Sequence, residues 1–227
     1  MSAQELTLIV AATTQMGIGK AGTLPWAGLL KKEMAYFARV TKRSPSSAIP
    51  QQNVVIMGRK TWDSIPRQFR PLADRINIVV TRSAFDDSTM RDDEKKRSNQ
   101  LKRDPIFVNS IESALKTTTM LGSMKIFVIG GAQIYETAIR MKEAKRILFT
   151  RILNDFDFDT RFPLNLNQEG TRKENSNGWE KKSLKEFNEW TGESTSTEVQ
   201  EENGIQYIFE MWERKDCSLN LSRDYSK

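Results

Sequence analysis

The amino-acid sequence predicts an α/β fold: a single domain with a mainly parallel twisted sheet, an antiparallel strand at its C-terminal edge and helices on both faces. Short apolar runs, typical of strands buried on both faces, alternate with segments of helical periodicity along most of the chain. Residues 205–212 instead alternate apolar and polar side chains, which is typical of an antiparallel strand. No internal repeat or linker divides the 227 residues, so one domain is expected.

Six buried strands are predicted from these apolar runs. Alternation with helices favours parallel pairing, because a crossover helix returns the chain to the same edge of the sheet. The predicted strands are residues 6–12, 53–58, 75–82, 105–108, 125–131 and 146–152.

Four helices are predicted between the strands. Ser110 is a suitable N-cap for one of them, and Pro66 ends another because proline cannot continue a helix. The predicted helices are residues 29–42, 59–65, 110–115 and 132–141.

The connecting segments differ in composition. Residues 16–23 contain three glycines and form either a surface turn or a lid that closes over a ligand. Residues 44–52 are a polar loop with two prolines, and residues 165–178 are also polar. Residues 83–104 carry mixed charge and predict a long, mobile surface insertion, with a partner-docking arm as the less favoured alternative.

Composition limits the class of protein. With 38% hydrophobic and 28% charged residues, a core at about 5–213 followed by a polar tail at 214–227 is expected. No apolar run approaches the roughly 18 residues of a membrane span, and the N-terminus does not resemble a signal peptide. The one cysteine, Cys217, suits a reducing compartment, so the expected location is cytoplasmic.

Charge and the absence of histidine narrow the chemistry. The net charge is +6 and the pI about 9.4, but the basic residues are mixed with acidic ones. This pattern favours a phosphorylated cofactor or an acidic small molecule over nucleic acid. Without histidine, a histidine-dependent triad and the common zinc sites are excluded, and no metal is expected. Any acid–base step must use a carboxylate, lysine, tyrosine or water.

Glu33 is the first candidate catalytic residue. In the helix at 29–42, Leu30, Met34, Phe37 and Val40 recur at helical spacing, and Glu33 lies on the same inward stripe. The helix alone favours Glu33 at the edge of the stripe, paired with a surface lysine. The rest of the chain favours a buried carboxylate, whose pKa desolvation would raise.

The carboxyl ends of the predicted strands define a ligand-binding rim. The strand–glycine–helix start at Gly58 would direct free N–H groups at an anion, with Arg59, Lys60 and Thr61 beside it. By itself this signal is weak, because it matches neither of the familiar glycine-rich phosphate motifs. The expected rim comprises residues 11–23, 58–61, 81–82, 130–131 and Thr150.

An ordered set of motifs spread over residues 6–212 resembles dihydrofolate reductase, nearer the eukaryotic and fungal type than the bacterial one. The resemblance fades in the insertion and in residues 165–204. The motifs are Met16-Gly17-Ile18-Gly19-Lys20, Leu24-Pro25-Trp26, Glu33 with Tyr36-Phe37, residues 55–66, Arg70-Pro71-Leu72, Arg75-Ile76-Asn77 and residues 128–135.

This resemblance implies NADPH-dependent reduction of 7,8-dihydrofolate to 5,6,7,8-tetrahydrofolate, which supplies one-carbon metabolism. Hydride would pass to pterin C6, and N5 would gain a proton through a water linked to Glu33. Glu33 would also accept two parallel hydrogen bonds from the pterin edge. Trp26 would position a water at the pterin oxygen, Leu24 would close over the nicotinamide, and Thr150 would be a hydroxyl near the acid.

The resemblance also implies the remaining ligand contacts. Arg75 would pair with the α-carboxylate of the glutamyl tail, and antifolates would compete for the same cleft. The implied substrate-binding residues are Ile9, Val10, Glu33, Met34, Phe37, Ile65, Phe69, Leu72, Arg75, Ile129 and Tyr135.

On the cofactor side, Gly58 and Gly130-Gly131 would cradle the pyrophosphate, with a cis bond between the paired glycines. Arg59 and Arg82 would select the 2′-phosphate. The implied NADPH-binding residues are Ala11, Gly17, Ile18, Gly19, Lys20, Ala21, Gly22, Thr23, Leu24, Gly58, Arg59, Lys60, Thr61, Thr81, Arg82, Ser83, Gly130, Gly131, Ala132, Gln133, Ile134 and Tyr135.

The chain departs from the family pattern before the Glu33 helix, where Ala27-Gly28-Leu29-Leu30 is one residue longer than usual. Met34 stands where vertebrate relatives carry an aromatic residue. Two alternatives remain open: a pyrimidine reductase of the same fold, and a basic nucleic-acid-binding module. The residues favour the folate reductase, and a monomer is expected because no extra apolar face is left over.

Overall fold

The computed structural model describes residues 4–44, 51–82, 104–121, 125–167, 178–196 and 199–215. Several predictions therefore lie outside the described residues. These are the insertion except Asp104, the tail from residue 216 onward, most of the loop at 44–52 and most of the polar segment at 165–178.

Nine strands form one mixed sheet, and two short strands pair separately. The order across the large sheet is β10-β11-β7-β1-β6-β3-β4-β5, with β9 also paired to β11, while β2 pairs with β8. The strands are β1 Leu6–Thr13, β2 Gly17–Gly19, β3 Asn53–Gly58, β4 Arg75–Val80, β5 Ile106–Val108, β6 Ile126–Val128, β7 Ala144–Ile152, β8 Thr160–Arg161, β9 Trp179–Lys181, β10 Val199–Glu202 and β11 Ile205–Arg214.

The sheet changes direction at β11. Strand β1 pairs in parallel with both β6 and β7, and β3, β4 and β5 continue the parallel part. Strand β11 runs antiparallel to β7, and β10 forms a hairpin with β11 at the edge. The prediction of a mainly parallel sheet with an antiparallel C-terminal part is confirmed. The predicted edge strand, residues 205–212, lies within β11, and β10 pairs outside it.

Helices cover both faces, as predicted. Alternate side chains of β1 enter different cores: Leu8 packs on the face that carries α3 and α4, whereas Ile9 packs on the face that carries α1 and α5. The helices are α1 Lys31–Lys42, α2 Arg59–Ser64, α3 Ile111–Leu121, α4 Ala132–Arg140 and α5 Leu184–Thr191, with a 3₁₀ turn at Arg67–Phe69. No described helix is long and apolar enough to cross a membrane.

Local sequence explains most helix boundaries. The Ser110 hydroxyl accepts a hydrogen bond from the Ser113 backbone N–H, which confirms the predicted N-cap. Helix α3 extends to Leu121, beyond the predicted end at residue 115. Helix α5 begins with a reciprocal capping box between Ser183 and Glu186 and ends at left-handed Gly192.

Five elements were not predicted: β2 within the glycine-containing loop, β8, β9, α5 and β10. Arg214, placed in the predicted tail, is the last residue of β11. The short strands carry too few residues for a periodic signal, and they form because a distant partner supplies their hydrogen bonds.

The predicted inward stripe of α1 is partly wrong. The buried residues are Glu33, Tyr36, Val40 and Thr41, whereas Met34 is 49% exposed. Successive helix residues are rotated by about 100°. When residues 33, 36 and 40 face the core, residue 34 therefore faces away from its centre.

Candidate active site

Glu33 is a buried carboxylate in the first turn of α1, with only 6% of its surface exposed. The Thr150 hydroxyl, on β7, donates a hydrogen bond to Glu33 Oε1 at 3.0 Å. Desolvation raises the pKa of Glu33 from its ordinary 4.5 to about 7, a rise that the Thr150 hydrogen bond opposes and the Glu202 charge reinforces. A carboxyl group with this pKa can release and regain a proton near neutrality.

Trp26 packs in the same small core as Leu30, the residue just before α1. Its ring is almost completely buried with Leu30, Ile152 and Tyr207, and it meets Phe156 edge-on at 5.7 Å between centroids. The indole Nε1–H is buried and has no hydrogen-bond partner among the described residues. A buried donor without a partner is costly, so this N–H fits a role toward a ligand or an ordered water.

Arg75 marks the other end of α1. Its Nη1 donates to the Thr41 hydroxyl at 2.8 Å, and its Nε donates to the Ala73 carbonyl at 2.9 Å. The guanidinium also lies 5.8 Å from the Phe37 ring centroid. Burial lowers the pKa of Arg75 to about 10, so the group is still a cation at neutral pH. Glu33 and Thr41, the hydrogen-bond partner of Arg75, are therefore eight residues apart on α1, or about 12 Å along its axis.

The segment before β4 is fixed by Asn77. The Leu72 N–H donates to Asn77 Oδ1, and Asn77 Nδ2 donates to the carbonyls of Leu72 and Arg75, each at 2.9 Å. This clamp orders the predicted substrate wall at Leu72, and Ile65 is half-buried in the same core as Phe37. The clamp was not predicted, although Asn after a turn is a common local hydrogen-bonding residue.

Three large apolar side chains predicted to contact ligand are exposed: Leu24 at 38%, Met34 at 49% and Phe69 at 58%. Most large apolar side chains of the described residues are in the core, so these three are exceptions. They belong to three different segments of the predicted cleft, which is consistent with an apolar ligand surface there.

The middle of β1 and the first turn of α4 are joined by a hydrogen bond. Tyr135 is buried, and its hydroxyl donates to the Ile9 carbonyl at 2.7 Å. Ile9 and Val10 are adjacent on β1, and their side chains pack on opposite faces of the sheet. Ile129 and Ala11 are half-buried near the strand ends.

Glycines from two strand ends meet in one cradle. The Gly58 N–H donates to the Gly130 carbonyl at 2.7 Å, and the Gly130–Gly131 peptide bond is cis, as the resemblance implied. A Cβ on Gly58 would lie 3.0 Å from Ile134 Cγ1, and one on Gly131 would lie 3.3 Å from the Thr61 hydroxyl. A side chain at either glycine would crowd these neighbours, so the starts of α2 and α4 approach each other closely, and two adjacent helix N-termini fit the pyrophosphate part of NADPH.

The basic residues predicted beside this cradle are on the surface. Arg59 is half exposed and forms an ion pair with Asp63 at 2.9 Å, while Lys60 and Arg82 are exposed. Thr81 is buried, and its N–H donates to the Val108 carbonyl. On α4, Ala132 is half-buried and Gln133 is exposed. Ser83, the last predicted residue of this group, lies outside the described residues.

The loop at residues 16–23 is held by the segment that includes β8. The Ala21 N–H donates to Asp159 Oδ2 at 2.7 Å, and the Asp159 N–H donates to the Gly19 carbonyl at 2.9 Å. A Cβ on Gly17 would lie 2.3 Å from the Phe158 ring, so Gly17 is required by packing. The rest of the loop, Ile18, Lys20, Gly22 and Thr23, is half-buried or exposed at the predicted rim.

Two further residues near Glu33 were not predicted. Glu202 and Asn203, in the turn between β10 and β11, form hydrogen bonds with the chain where α1 begins. The Asn203-Gly204 pair is a hairpin-turn signal that was present in the sequence. Nothing in the sequence indicated that this turn would lie next to the start of α1, about 170 residues earlier in the chain.

Comparison with known proteins gives a consistent result. A family profile described as dihydrofolate reductase matches residues 5–190. The chain is 41% identical to the dihydrofolate reductase of Cryptococcus neoformans var. neoformans serotype D, with 93% of this chain and 95% of the relative aligned. It is 40% identical to that of Pneumocystis carinii, over 93% and 97%, and 38% identical to that of Rattus norvegicus, over 93% and 98%.

Proposed function

The chain belongs to the dihydrofolate reductase family, and from this premise we propose how it reduces 7,8-dihydrofolate to 5,6,7,8-tetrahydrofolate with NADPH. The family match also favours this reaction over the pyrimidine reductase and nucleic-acid-binding alternatives. NADPH, when bound, supplies the hydride for pterin C6. The protein binds and orients the two ligands and delivers a proton to N5.

Glu33 acts as the proton source and the anchor for the pterin. Once its proton has left, its two oxygens accept parallel hydrogen bonds from the N3–H and 2-amino group of the pterin. With a pKa of about 7, Glu33 is protonated in a large fraction of molecules at neutral pH and passes its proton to N5 through a water. Thr150 orients the carboxyl group, and the free Trp26 N–H holds a water at the pterin oxygen.

Arg75 and the apolar residues around it bind the rest of dihydrofolate. The hydrogen bonds to Thr41 and Ala73 fix the guanidinium and leave N–H groups for a bidentate contact with the α-carboxylate. Phe37 and Ile129 pack on the pterin, and Ile65, Phe69 and Leu72 flank the benzoyl ring. Ile9, Val10, Met34 and Tyr135 complete the proposed lining, and antifolates would use the same surface.

Another part of the same rim would hold NADPH. The backbone at Gly58 and Gly130-Gly131, with Thr61, holds the pyrophosphate. Arg59, Lys60, Thr81 and Arg82 bind the 2′-phosphate end. Ala11, Leu24, Tyr135 and the loop at residues 17–23 enclose the nicotinamide end.

The observation that carries this mechanism is the position of Glu33 and Arg75 at opposite ends of the same helix. A buried acid with a pKa of about 7, and a buried cation bound to Thr41 about 12 Å further along the axis of α1, match the two charged recognition points of an elongated pterin–glutamate substrate. The positions of both groups are fixed by hydrogen bonds to residues on other elements, Thr150 and Thr41 respectively.

The test is absorbance loss at the NADPH band with and without dihydrofolate. Oxidation that requires dihydrofolate and is blocked by a diaminopyrimidine antifolate is expected. Glu33→Ala should abolish this turnover while NADPH still binds. Intact turnover in Glu33→Ala would rule out the proposed proton route.

We also propose a single domain that works as a monomer in the cytoplasm. One cysteine among 227 residues supports a reducing compartment. Light scattering with in-line chromatography tests the oligomeric state, and a mass of about one chain is expected.

A further inference from the structure

The N-terminus of α1 is capped by a side chain from a remote strand. Leu30, at the N-cap position, provides no side-chain hydrogen bond to the helix. Instead the Glu202 carboxylate accepts from the Lys31 N–H at 2.9 Å through Oε1 and from the Lys32 N–H at 2.8 Å through Oε2. These are two of the helix N–H groups that otherwise lack a partner.

The neighbouring residue holds the chain just before the helix. Asn203 Nδ2 donates to the Leu29 carbonyl at 2.6 Å. The turn itself is rigidly built: Asn203 and Gly204 both have positive φ, at 53° and 75°. Asn154 also joins this turn to the end of β7, since its Oδ1 accepts from the Gln206 N–H at 2.7 Å.

This contact lies at the connection that leads into α1. Residues 27–29 are exposed and Gly28 has a φ of 79°, so packing within this connection does not fix the rotation of α1. Three hydrogen bonds from the β10–β11 turn fix Leu29, Lys31 and Lys32, and therefore the direction in which Glu33 leaves the helix.

The Glu202 charge also acts on Glu33. Glu33 is the third residue of α1, where the partial positive charge of a helix N-terminus favours an ionised carboxylate. The Glu202 carboxylate accepts hydrogen bonds from the N–H groups of Lys31 and Lys32, and its negative charge offsets the partial positive charge of the helix N-terminus. Its negative charge is one cause of the raised pKa of Glu33.

We propose that the β10–β11 turn is a positioning element for the proton donor: Glu202 and Asn203 set the start of α1, and the Glu202 carboxylate adds a negative charge at the helix end that carries Glu33. This inference rests on the proposed role of Glu33. Neither Glu202 nor Asn203 is a catalytic residue, since both act through α1.

The other groups around Glu33 do not duplicate this charge. Thr150 on β7 donates a hydrogen bond and is neutral. Tyr36 on α1, Tyr135 on α4 and Tyr207 on β11 have pKa values raised by burial and by the Glu33 charge, so they are neutral at pH 7. Lys31 and Lys32 on α1 are exposed, and water screens their charges.

The proposal is tested by measuring the protonation of Glu33 directly. In protein carrying ¹³C-labelled glutamate side chains, the Glu33 resonance is assigned by its loss in Glu33→Gln and titrated in the absence of ligands. In Glu202→Gln the midpoint should fall by about 0.5 pH unit, the size expected for one charge at a helix end. The pH at which turnover declines should fall by the same amount.

Two further variants distinguish the effect of the Glu202 charge from the effect of the hydrogen bonds that hold the start of α1. Glu201→Gln removes an equal charge from the next, exposed residue of β10 and should leave the midpoint unchanged. Asn203→Gly keeps the positive-φ turn but removes the Leu29 contact, so turnover should drop severalfold at every pH with no shift of the midpoint. An unchanged Glu33 midpoint in Glu202→Gln would overturn the proposal. Because the titration needs no substrate, it remains decisive even if the wild-type protein showed no reductase activity.

Discussion

At the scale of single residues, the candidate site depends on groups whose burial changes their chemistry. Glu33 and Arg75 are both buried polar groups, and each is fixed by a threonine hydroxyl. Burial raises the pKa of the acid to about 7 and lowers that of the base to about 10. The same residue types on the surface would titrate at their ordinary pH and bind ligand weakly.

Glu33→Gln should make stability less dependent on pH. Since the pKa of Glu33 is raised in the folded protein, its contribution to stability is complete below the unfolded value near 4.5 and is lost as pH rises through about 7. The wild-type free energy of unfolding should therefore fall between pH 5 and pH 8 by roughly 2–3 kcal/mol more than that of the variant. Urea unfolding at the two pH values measures this, and parallel pH curves for the two proteins would contradict the burial of an ionisable Glu33.

Arg82→Ala should change cofactor selectivity. Arg82 is exposed at the end of β4, where it is proposed to bind the 2′-phosphate. Loss of one charge-assisted contact should weaken NADPH about 10-fold or more, whereas NADH, which lacks this phosphate, should change little.

Fluorescence titration with both nucleotides measures the change. Arg67→Ala, on the 3₁₀ turn beyond α2, is the matched control for charge and should affect neither nucleotide. Equal weakening of NADPH and NADH in Arg82→Ala would remove the 2′-phosphate assignment.

At the scale of elements, two short strands that the sequence did not predict, β2 and β8, fix the glycine-containing loop at residues 16–23. Strands β2 and β8 pair at Gly17 with Arg161 and at Gly19 with Thr160. The glycine-containing loop is therefore fixed at its base, while its tip, at residues 20–24, is exposed. A lid with this anchor would move only at its tip.

Gly17→Ala should disrupt this anchor, because the new Cβ would lie 2.3 Å from the Phe158 ring. Overpacking of this kind costs about 1–3 kcal/mol, and the displaced loop should weaken NADPH binding. The double variant Gly17→Ala with Phe158→Ala removes the clash and should recover part of both losses. If the single variant bound NADPH as tightly as wild type, the anchor would not matter for the cofactor.

At the scale of the whole molecule, an ion network joins the antiparallel part of the sheet. Glu210 on β11 is buried, and its two oxygens accept from Arg151 on β7 at 2.9 Å each. Lys181 on β9 and the Trp212 indole donate to the same carboxylate at 2.9 and 3.0 Å. Three strands from distant parts of the chain therefore share one buried charge.

Glu210→Gln should lower the free energy of unfolding by about 3 kcal/mol, because it leaves the Arg151 guanidinium without its charged partner. Glu213→Gln is the control: Glu213 pairs with Arg146 on the same strand pair but is more exposed, so the loss should be below about 1 kcal/mol. Thermal and urea unfolding measure both variants. Similar losses in the two would contradict a special role for the buried network.

Sequence patterns predicted the parallel sheet and four of the helices, and the family resemblance supplied most of the proposed ligand contacts. A continuous apolar run indicates a strand buried on both faces, so β1, β3 and β4 could be predicted without tertiary information. A pair of glycines at a strand end indicates close approach of the backbone, so the Gly130-Gly131 turn could be predicted in the same way. Helix α5 was missed because its polar neighbours obscured a capping box that was present at Ser183.

Only the tertiary structure decided which residues face one another. Helical spacing could not choose between Met34 and Tyr36 for the buried stripe, since a broad stripe is compatible with either. It could not show that Glu202 caps α1 or that Trp26 has an unpaired N–H. Local pattern determines which segments form strands and helices, because those hydrogen bonds are between near neighbours or repeat regularly. The protonation of Glu33 is decided by desolvation and by charges from distant segments, which exist only once the chain has folded.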